Sequence, residues 1–197
     1  MKDILKTGII LLIICVVAAL ALGLTNEVTK DKIADQRKAA NELAKKNVLP
    51  VADSFKDIEG DELKNITDNF LPISEAYVGL DASGNIIGYV FKSLPNGFSG
   101  AVEVVTGISV DGIVTGLRVG AHKETPGLGA KATDSAYYEQ YTGKVTTSPI
   151  GVLKTDASGN DIQAITGATI SSVAITAGAN ASIDAFNWIL ENGGTGN

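Results

Sequence analysis

The sequence predicts an α+β chain in which a single N-terminal transmembrane helix is followed by a domain of antiparallel β-hairpins packed against helices. Three observations predict this fold class. An uncharged apolar run lies near the start, two pairs of apolar-rich segments meet at turn residues in the middle, and an apolar stripe at helical spacing lies near the end. With 197 residues and a formal net charge of −6, the chain has room for one compact domain plus an anchor.

The apolar run over residues 8–24 reads GIILLIICVVAALALGL and approaches the roughly 20 apolar residues that span a bilayer. A cleaved signal peptide with Ala19-Leu20-Ala21 at the cleavage site is the alternative. The helical pattern continues to Asn47 without a break, which favours a retained anchor. We therefore predict an anchor over 1–24, a helical connector over 25–47 and a folded domain over 48–197. Basic residues lie on both sides of the run, so charge alone leaves its orientation open.

Two hairpins are predicted in the middle of the chain. Residues 75–80 and 86–91 are apolar-rich and flank the turn cluster DASGN, and residues 102–110 and 113–119 alternate around Asp111-Gly112. A short helix is expected between Lys131 and Tyr141. The last element is a long helix that begins at Ile170, and its mostly apolar stripe is interrupted by Gly178 and ends before Gly193-Gly194. Residues 53–69 have no clear assignment.

Composition restricts the possible cofactors and partners. The single cysteine, Cys15, excludes an intrachain disulfide and a multi-cysteine iron–sulfur site. The single histidine, His122, argues against a zinc or haem centre. No dense run of lysine or arginine is present, which argues against a nucleic-acid partner. We therefore expect no metal, and any redox cofactor should be organic or belong to a partner.

The first of two motifs is TGATISS at residues 166–172, between a predicted strand and the last helix. Thr169 falls where the helix N-cap is expected, so its hydroxyl would lie beside free backbone N–H groups and the positive end of the helix dipole. Such an arrangement attracts phosphate. Gly167 and Ala168 are small enough for a bulky group to approach the backbone. Taken alone, the motif is more simply interpreted as an ordinary threonine cap.

The second motif is HKETPGLG at residues 122–129. Pro126 and Gly127 suit the two central positions of a type II turn. Gly129 permits close approach of a planar ligand, while Glu124 and Thr125 offer hydrogen-bonding groups to its polar edge. Taken alone, this motif is more simply a structured turn.

In this order and at this spacing, the two motifs resemble the FMN-binding domain of the G subunit of the Rnf complex, the ion-translocating ferredoxin:NAD oxidoreductase. The C subunit of the sodium-pumping NADH:quinone oxidoreductase is a relative of that protein. The length of the chain and the intact HKETPGLG favour the Rnf protein. The resemblance covers nearly the whole chain, including the anchor and the segments Val48-Leu49-Pro50, Gly97-Phe98-Ser99-Gly100 and Asp111-Gly112. The chain departs from the family at Gln163, where an aspartate read by a flavin transferase is frequent, and the nearby Asp161 is a candidate substitute.

The resemblance implies that the Thr169 hydroxyl is esterified to the phosphate of FMN and that Thr166, Gly167 and Ala168 complete the attachment loop. It also implies a flavin-contacting turn formed by Glu124, Thr125, Gly127, Leu128 and Gly129. On this basis the chain is an electron-transfer flavoprotein of a larger complex, single-pass in the cell inner (plasma) membrane, with its C-terminal domain extracytoplasmic. Its partners would be the other membrane and redox subunits of the Rnf complex, and a flavin transferase would mature it. We expect no catalytic residue and no independent substrate site. The alternatives are a stand-alone flavin reductase, a protein like the C subunit of the sodium pump, and an anchored protein that never receives flavin.

Overall fold

A computed structural model describes the backbone of residues 2–192 and the side chains of residues 4–192. The chain divides into two compact units, Met1–Glu42 and Leu43–Asn197. The predicted stop at Gly193-Gly194 lies outside the described residues.

Helix α1 runs without a break over Lys2–Val48, so the apolar run and the polar segment after it form one continuous helix, as the helical pattern predicts. Among the described residues, this is the one helix long and apolar enough to cross a membrane. The apolar side chains of the run over residues 8–24 are unburied, with Ile10 50% and Leu22 72% exposed. A helical segment that is apolar on all sides and leaves its side chains uncovered needs an apolar surrounding, which a bilayer supplies.

The second unit is built on a five-stranded antiparallel sheet in which the strands follow one another in sequence order. Both predicted hairpins are confirmed, as β2–β3 and β4–β5. In the first turn, Asp81 Oδ1 accepts the N–H groups of Ser83 and Asn85, both at 2.8 Å. The strands are β1 (Ser54–Asp57), β2 (Ile73–Leu80), β3 (Ile86–Ser93), β4 (Val104–Ser109) and β5 (Val114–Val119).

Residues 53–69, which had no assignment, supply β1 and helix α2 (Gly60–Asn69). A two-residue parallel pair joins β6 (Val152–Leu153) to β7 (Ile162–Gln163), and β7 is the strand expected before the TGATISS motif.

The single short helix expected between Lys131 and Tyr141 is wrong in detail. The segment forms three helical pieces, namely a 3₁₀ turn over Gly129–Thr133, α3 (Ser135–Tyr138) and a second 3₁₀ turn over Glu139–Tyr141. Tyr137 and Tyr141 are both buried there, and their rings pack edge to face with centroids 5.8 Å apart. Asp134 is extended, with φ −78° and ψ 141°, and it separates the first 3₁₀ turn from α3.

Helix α4 (Thr169–Asn192) covers one face of the sheet with a buried stripe that includes Ile175, Phe186 and Ile189. At Gly178, where the apolar stripe is interrupted, the helix continues unbroken. A Cβ at position 178 would lie 2.6 Å from Ser93 Oγ. The glycine is therefore needed for close packing of the helix on the end of β3.

On the opposite face of the sheet, the end of α1 lies directly against the strands. Val48 and Leu49 are fully buried there. Glycines on four strands leave the space that these residues occupy, since a Cβ on any of them would meet Val48 or Leu49; they are Gly79, Gly88, Gly107 and Gly116. With helices and this helix end on the two faces of an antiparallel sheet, the unit has the α+β architecture that the sequence predicts.

Candidate functional site

The two sequence motifs, more than thirty residues apart in the chain, meet at one cavity of about 340 Å³. Seven of the nine predicted cofactor-binding residues line it, whereas Gly127 and Thr166 do not. The lining consists of Phe98, Glu124, Thr125, Leu128, Gly129, Gly167, Ala168, Thr169, Ile170 and Ser171.

The HKETPGLG segment forms the turn that its sequence predicts. The Leu128 N–H donates to the Thr125 carbonyl at 3.1 Å, and Gly127 has φ +78°. Proline at the second and positive-φ glycine at the third position define a type II turn. The turn is reinforced by the Ala130 N–H, which donates to the same carbonyl at 3.2 Å. One wall of the cavity is therefore a tight, hydrogen-bonded loop.

The attachment loop of the TGATISS motif forms a second tight turn. The Ala168 N–H donates to the Ile165 carbonyl at 2.9 Å, and Gly167 supplies the positive φ of +79°. The fully buried Ser172 holds both ends, because its Oγ accepts the Ile165 N–H at 2.9 Å and donates to the Ala168 carbonyl at 3.1 Å. Ser172 was not among the predicted site residues, although it lies inside the quoted motif. Its hydroxyl therefore holds the first and last residues of the turn in place.

Thr169 is half-buried at the start of α4, and its predicted role as N-cap is wrong by one residue. The first intrahelical bond runs from the Ser172 N–H to the Ala168 carbonyl at 3.0 Å, which makes Ala168 the cap. Thr169 is instead the first helical residue. The N–H groups at this end of a helix have no intrahelical acceptor and carry the positive end of the dipole. The Thr169 hydroxyl thus lies in the region that favours an anion.

Glu124 joins the two motifs at the base of the cavity, with 6% of its surface exposed. Ser171 Oγ donates to Glu124 Oε2 at 2.6 Å, and the Ser99 N–H donates to Oε1 at 3.0 Å. Burial by itself would raise the pKa of this carboxyl. The hydrogen bonds from Ser171, Ser99 and Phe98 outweigh burial and hold the pKa below its usual range.

The mouth of the cavity is apolar and open. Phe98, Leu128 and Ile170 line it with 68%, 44% and 59% of their surfaces exposed. Of these three, only Leu128 was predicted as a site residue. Phe98 lies in a segment noted for its resemblance, but no local pattern indicated that Ile170, beside the acceptor threonine, would face the cavity.

Gln163, the departure from the family pattern, lies outside this cavity. It is exposed and lines a second cavity together with Gln140 and Thr166. The Gln140 side chain holds the backbone at this position, since its Oε1 accepts the Gln163 N–H at 2.8 Å. Asp161, the candidate substitute, accepts Lys144 Nζ at 2.8 Å through its backbone carbonyl. Position 163 is therefore presented on the outer side of the attachment loop.

The first cavity fits the chemistry of FMN. Its volume of about 340 Å³ lies at the lower end of the range for small-ligand sites. The N-terminus of α4 suits a phosphate, and the apolar side chains at the mouth suit an aromatic ring. A hydroxyl on Thr169 stands at the phosphate end of this arrangement.

Comparison with known proteins is consistent with this site. Residues 97–184 match the family model of the FMN-binding domain, and residues 1–44 match that of the RnfG N-terminal region. The chain is 40% identical to the G subunit of the Na(+)-translocating ferredoxin:NAD(+) oxidoreductase complex of Acetobacterium woodii, over 94% of this chain and 92% of that protein. It is 33% identical to the G subunit of the ion-translocating oxidoreductase complex of Methanosarcina acetivorans, over 93% and 94% of the two chains.

Two solved structures share the fold. The crystal structure of NqrC from Shewanella oneidensis aligns with a TM-score of 0.51 and 16% identity over 72% of each chain. The C subunit of the Na(+)-translocating NADH-quinone reductase from Parabacteroides distasonis aligns with a TM-score of 0.50 and 18% identity, over 68% of this chain and 78% of that one. At these identities the likeness concerns the fold alone.

Proposed function

Because this chain belongs to the RnfG family, the G subunits of the ion-translocating oxidoreductase complexes, we propose that it carries FMN as a phosphoester on Thr169 and transfers electrons within such a complex. Its FMN-binding domain and its one apolar N-terminal helix make it a flavoprotein that belongs to a membrane complex.

The observation that carries the proposal is the position of Thr169. Its half-buried side chain lines the cavity at the first residue of α4, where unused backbone N–H groups favour a phosphate. A free hydroxyl at such a point can bond to phosphorus while the rest of the ligand enters the cavity. In the attachment step, the threonine oxygen bonds to the phosphorus of an activated flavin nucleotide, the bond to its leaving group breaks, and the hydroxyl proton passes to water.

The residues around Thr169 hold the site rather than take part in substrate chemistry. When bound, the flavin supplies the capacity to accept and release electrons. Ser172 fixes the attachment loop, and the type II turn at Gly127 fixes the opposite wall. Phe98, Leu128 and Ile170 offer an apolar surface from which water is excluded once a ring covers it.

Covalent attachment suits an open site. A cavity whose mouth residues are about half exposed retains a free ligand poorly when that ligand is dilute. A tether replaces the bulk concentration by an effective concentration of millimolar order for short links.

We propose that the domain is extracytoplasmic, that the chain is a single-pass protein of the inner membrane, and that a flavin transferase and the other members of the complex are its partners.

The test is in-gel flavin fluorescence of the full-length protein after co-expression with a flavin transferase. We expect a fluorescent band that survives denaturation, vanishes in Thr169→Ala, and is kept at least in part in Thr169→Ser, which retains a hydroxyl. Thr142→Ala is the matched control, because Thr142 is an exposed threonine that does not line the cavity. Peptide mapping should locate the flavin on the peptide containing Thr169. A wild-type protein without such a band, or a band that persists in Thr169→Ala, would contradict the proposal.

A further inference from the structure

Glu124 is the one carboxylate that the fold buries within residues 4–192. Glutamate is almost never buried without a partner, because removing a charge from water is costly. No lysine or arginine forms an ion pair with it in this part of the chain. Hydrogen-bond donors stabilise the carboxylate instead, together with an electrostatic attraction to His122.

The donors come from two segments far from Glu124 in sequence. Ser99, in the loop after β3, is 25 residues away, and Ser171, in the first turn of α4, is 47 residues away. Two glycines leave room for the carboxylate, since a Cβ at Gly97 or Gly129 would collide with it. The side chain therefore ties three segments together at a fixed place beside the cavity.

We propose that Glu124, besides holding these three segments in position, lowers the midpoint potential of the flavin bound in the cavity through its fixed negative charge. The inference rests on the proposed function and adds to it a determinant of the flavin's potential. Both oxygens of the carboxylate accept hydrogen bonds from protein donors, so its negative charge is held at a fixed place beside the ligand.

The physical reason is electrostatic. Reduction adds negative charge to a flavin ring bound in this cavity, and the Glu124 carboxylate repels that charge. The repulsion is screened less than in water because the carboxylate is 6% exposed. Charge close to a flavin ring is one of the means by which proteins adjust flavin potential. The hydrogen bonds that hold the pKa of Glu124 below its usual range keep this charge present at neutral pH.

Glu124→Gln separates charge from structure. The amide oxygen can still accept the N–H groups of Ser99 and Phe98, and the amide nitrogen can donate to Ser171 Oγ, which accepts as readily as it donates. The substitution therefore removes the charge and keeps the connections. Glu139→Gln is the matched control, because Glu139 is exposed and does not line the cavity.

The measurement is a reductive titration of the flavinylated full-length protein in detergent, with dithionite as the electron donor, buffer as the proton source and a reference dye. We expect a higher midpoint potential in Glu124→Gln and no change in Glu139→Gln. Ser171→Ala breaks one hydrogen bond and keeps the charge, so its potential should stay close to that of the wild type. If Glu124→Gln does not fold, Glu124→Ala, which also removes the charge, takes its place in the comparison and should show the same rise in potential.

The outcomes distinguish the inference from the function on which it rests. A flavinylated Glu124→Gln with an unchanged potential overturns the inference alone, as does a Ser171→Ala variant whose potential rises as far as that of Glu124→Gln. A wild-type protein that carries no flavin overturns the proposed function and the inference together.

Discussion

Gly129→Ala should destabilise the domain because the new methyl group would occupy space that the Glu124 carboxylate fills. A Cβ at position 129 would lie 2.7 Å from Ser171 Oγ and 3.0 Å from Glu124 Cβ, and closer still to Glu124 Oε2. The carboxylate can withdraw only by weakening its bonds to Ser171 and Ser99. Overpacking of a core typically costs about 1–3 kcal/mol, and a hydrogen bond to a charged group contributes about 1.5–3 kcal/mol.

We therefore expect Gly129→Ala to lower the free energy of unfolding by about 2–3 kcal/mol, or the midpoint of thermal unfolding by about 4–12 °C in a domain of this size. The probe is the fluorescence of Trp188, the single tryptophan, whose ring centroid lies 6.1 Å from that of Phe70. The assay is thermal unfolding of the full-length protein in detergent.

Gly127→Ala is the matched control from the same turn. Gly127 has φ +78°, and no atom lies within 4 Å of a Cβ added at this residue. Its cost should be backbone strain of about 1–2 kcal/mol, independent of Glu124. In a Glu124→Ala background, Gly129→Ala should lose at least about 1 kcal/mol of its effect, while Gly127→Ala should remain additive within about 0.5 kcal/mol. Additivity of both substitutions with Glu124→Ala would refute the reasoning.

Two further predictions concern the core and the membrane orientation. Burial raises the pKa of Tyr137 and raises that of Tyr141 well above its ordinary 10.0, so their contribution to stability is complete below about pH 10 and is lost as the pH rises past it. Ultraviolet titration should show these two phenols ionising only together with unfolding, and their ionisation in a folded protein would contradict this expectation. In a Cys15→Ala background, Ser158→Cys should react with an impermeant maleimide in intact cells, whereas Lys6→Cys should react only after the cells are broken. The reverse pattern would place the domain in the cytoplasm.

The elements that were predicted correctly have strong local signals. The first hairpin has apolar-rich runs around the DASGN turn cluster, the second has alternating apolar residues around Asp111-Gly112, and α1 begins with a long apolar run and contains no breaker. Other features depend on tertiary contacts that carry no local signal. Gly178 only interrupts an apolar stripe in the sequence, whereas in the fold its missing side chain serves packing against Ser93.

The candidate site was predicted in part for the same reason. The type II turn at Gly127 follows from residue types at neighbouring positions. The double hydrogen bond of Ser172 and the cavity position of Ile170 depend on the turn between Ile165 and Ala168, whose geometry the residue pattern does not specify. The N-cap was misassigned by one residue because threonine is the favoured cap type, whereas the hydrogen-bond pattern begins at Ala168.

The sequence by itself determined the membrane-spanning helix, the hairpins and the two motifs, because each is written in residues close together in the chain. Only the tertiary structure decided that the motifs share one cavity and that the Glu124 carboxylate turns inward to Ser171, 47 residues away. It also decided that Val48 and Leu49 lie on four glycines from four strands. Such contacts depend on which strands become neighbours and which faces are covered, and a local pattern of residues does not contain that information.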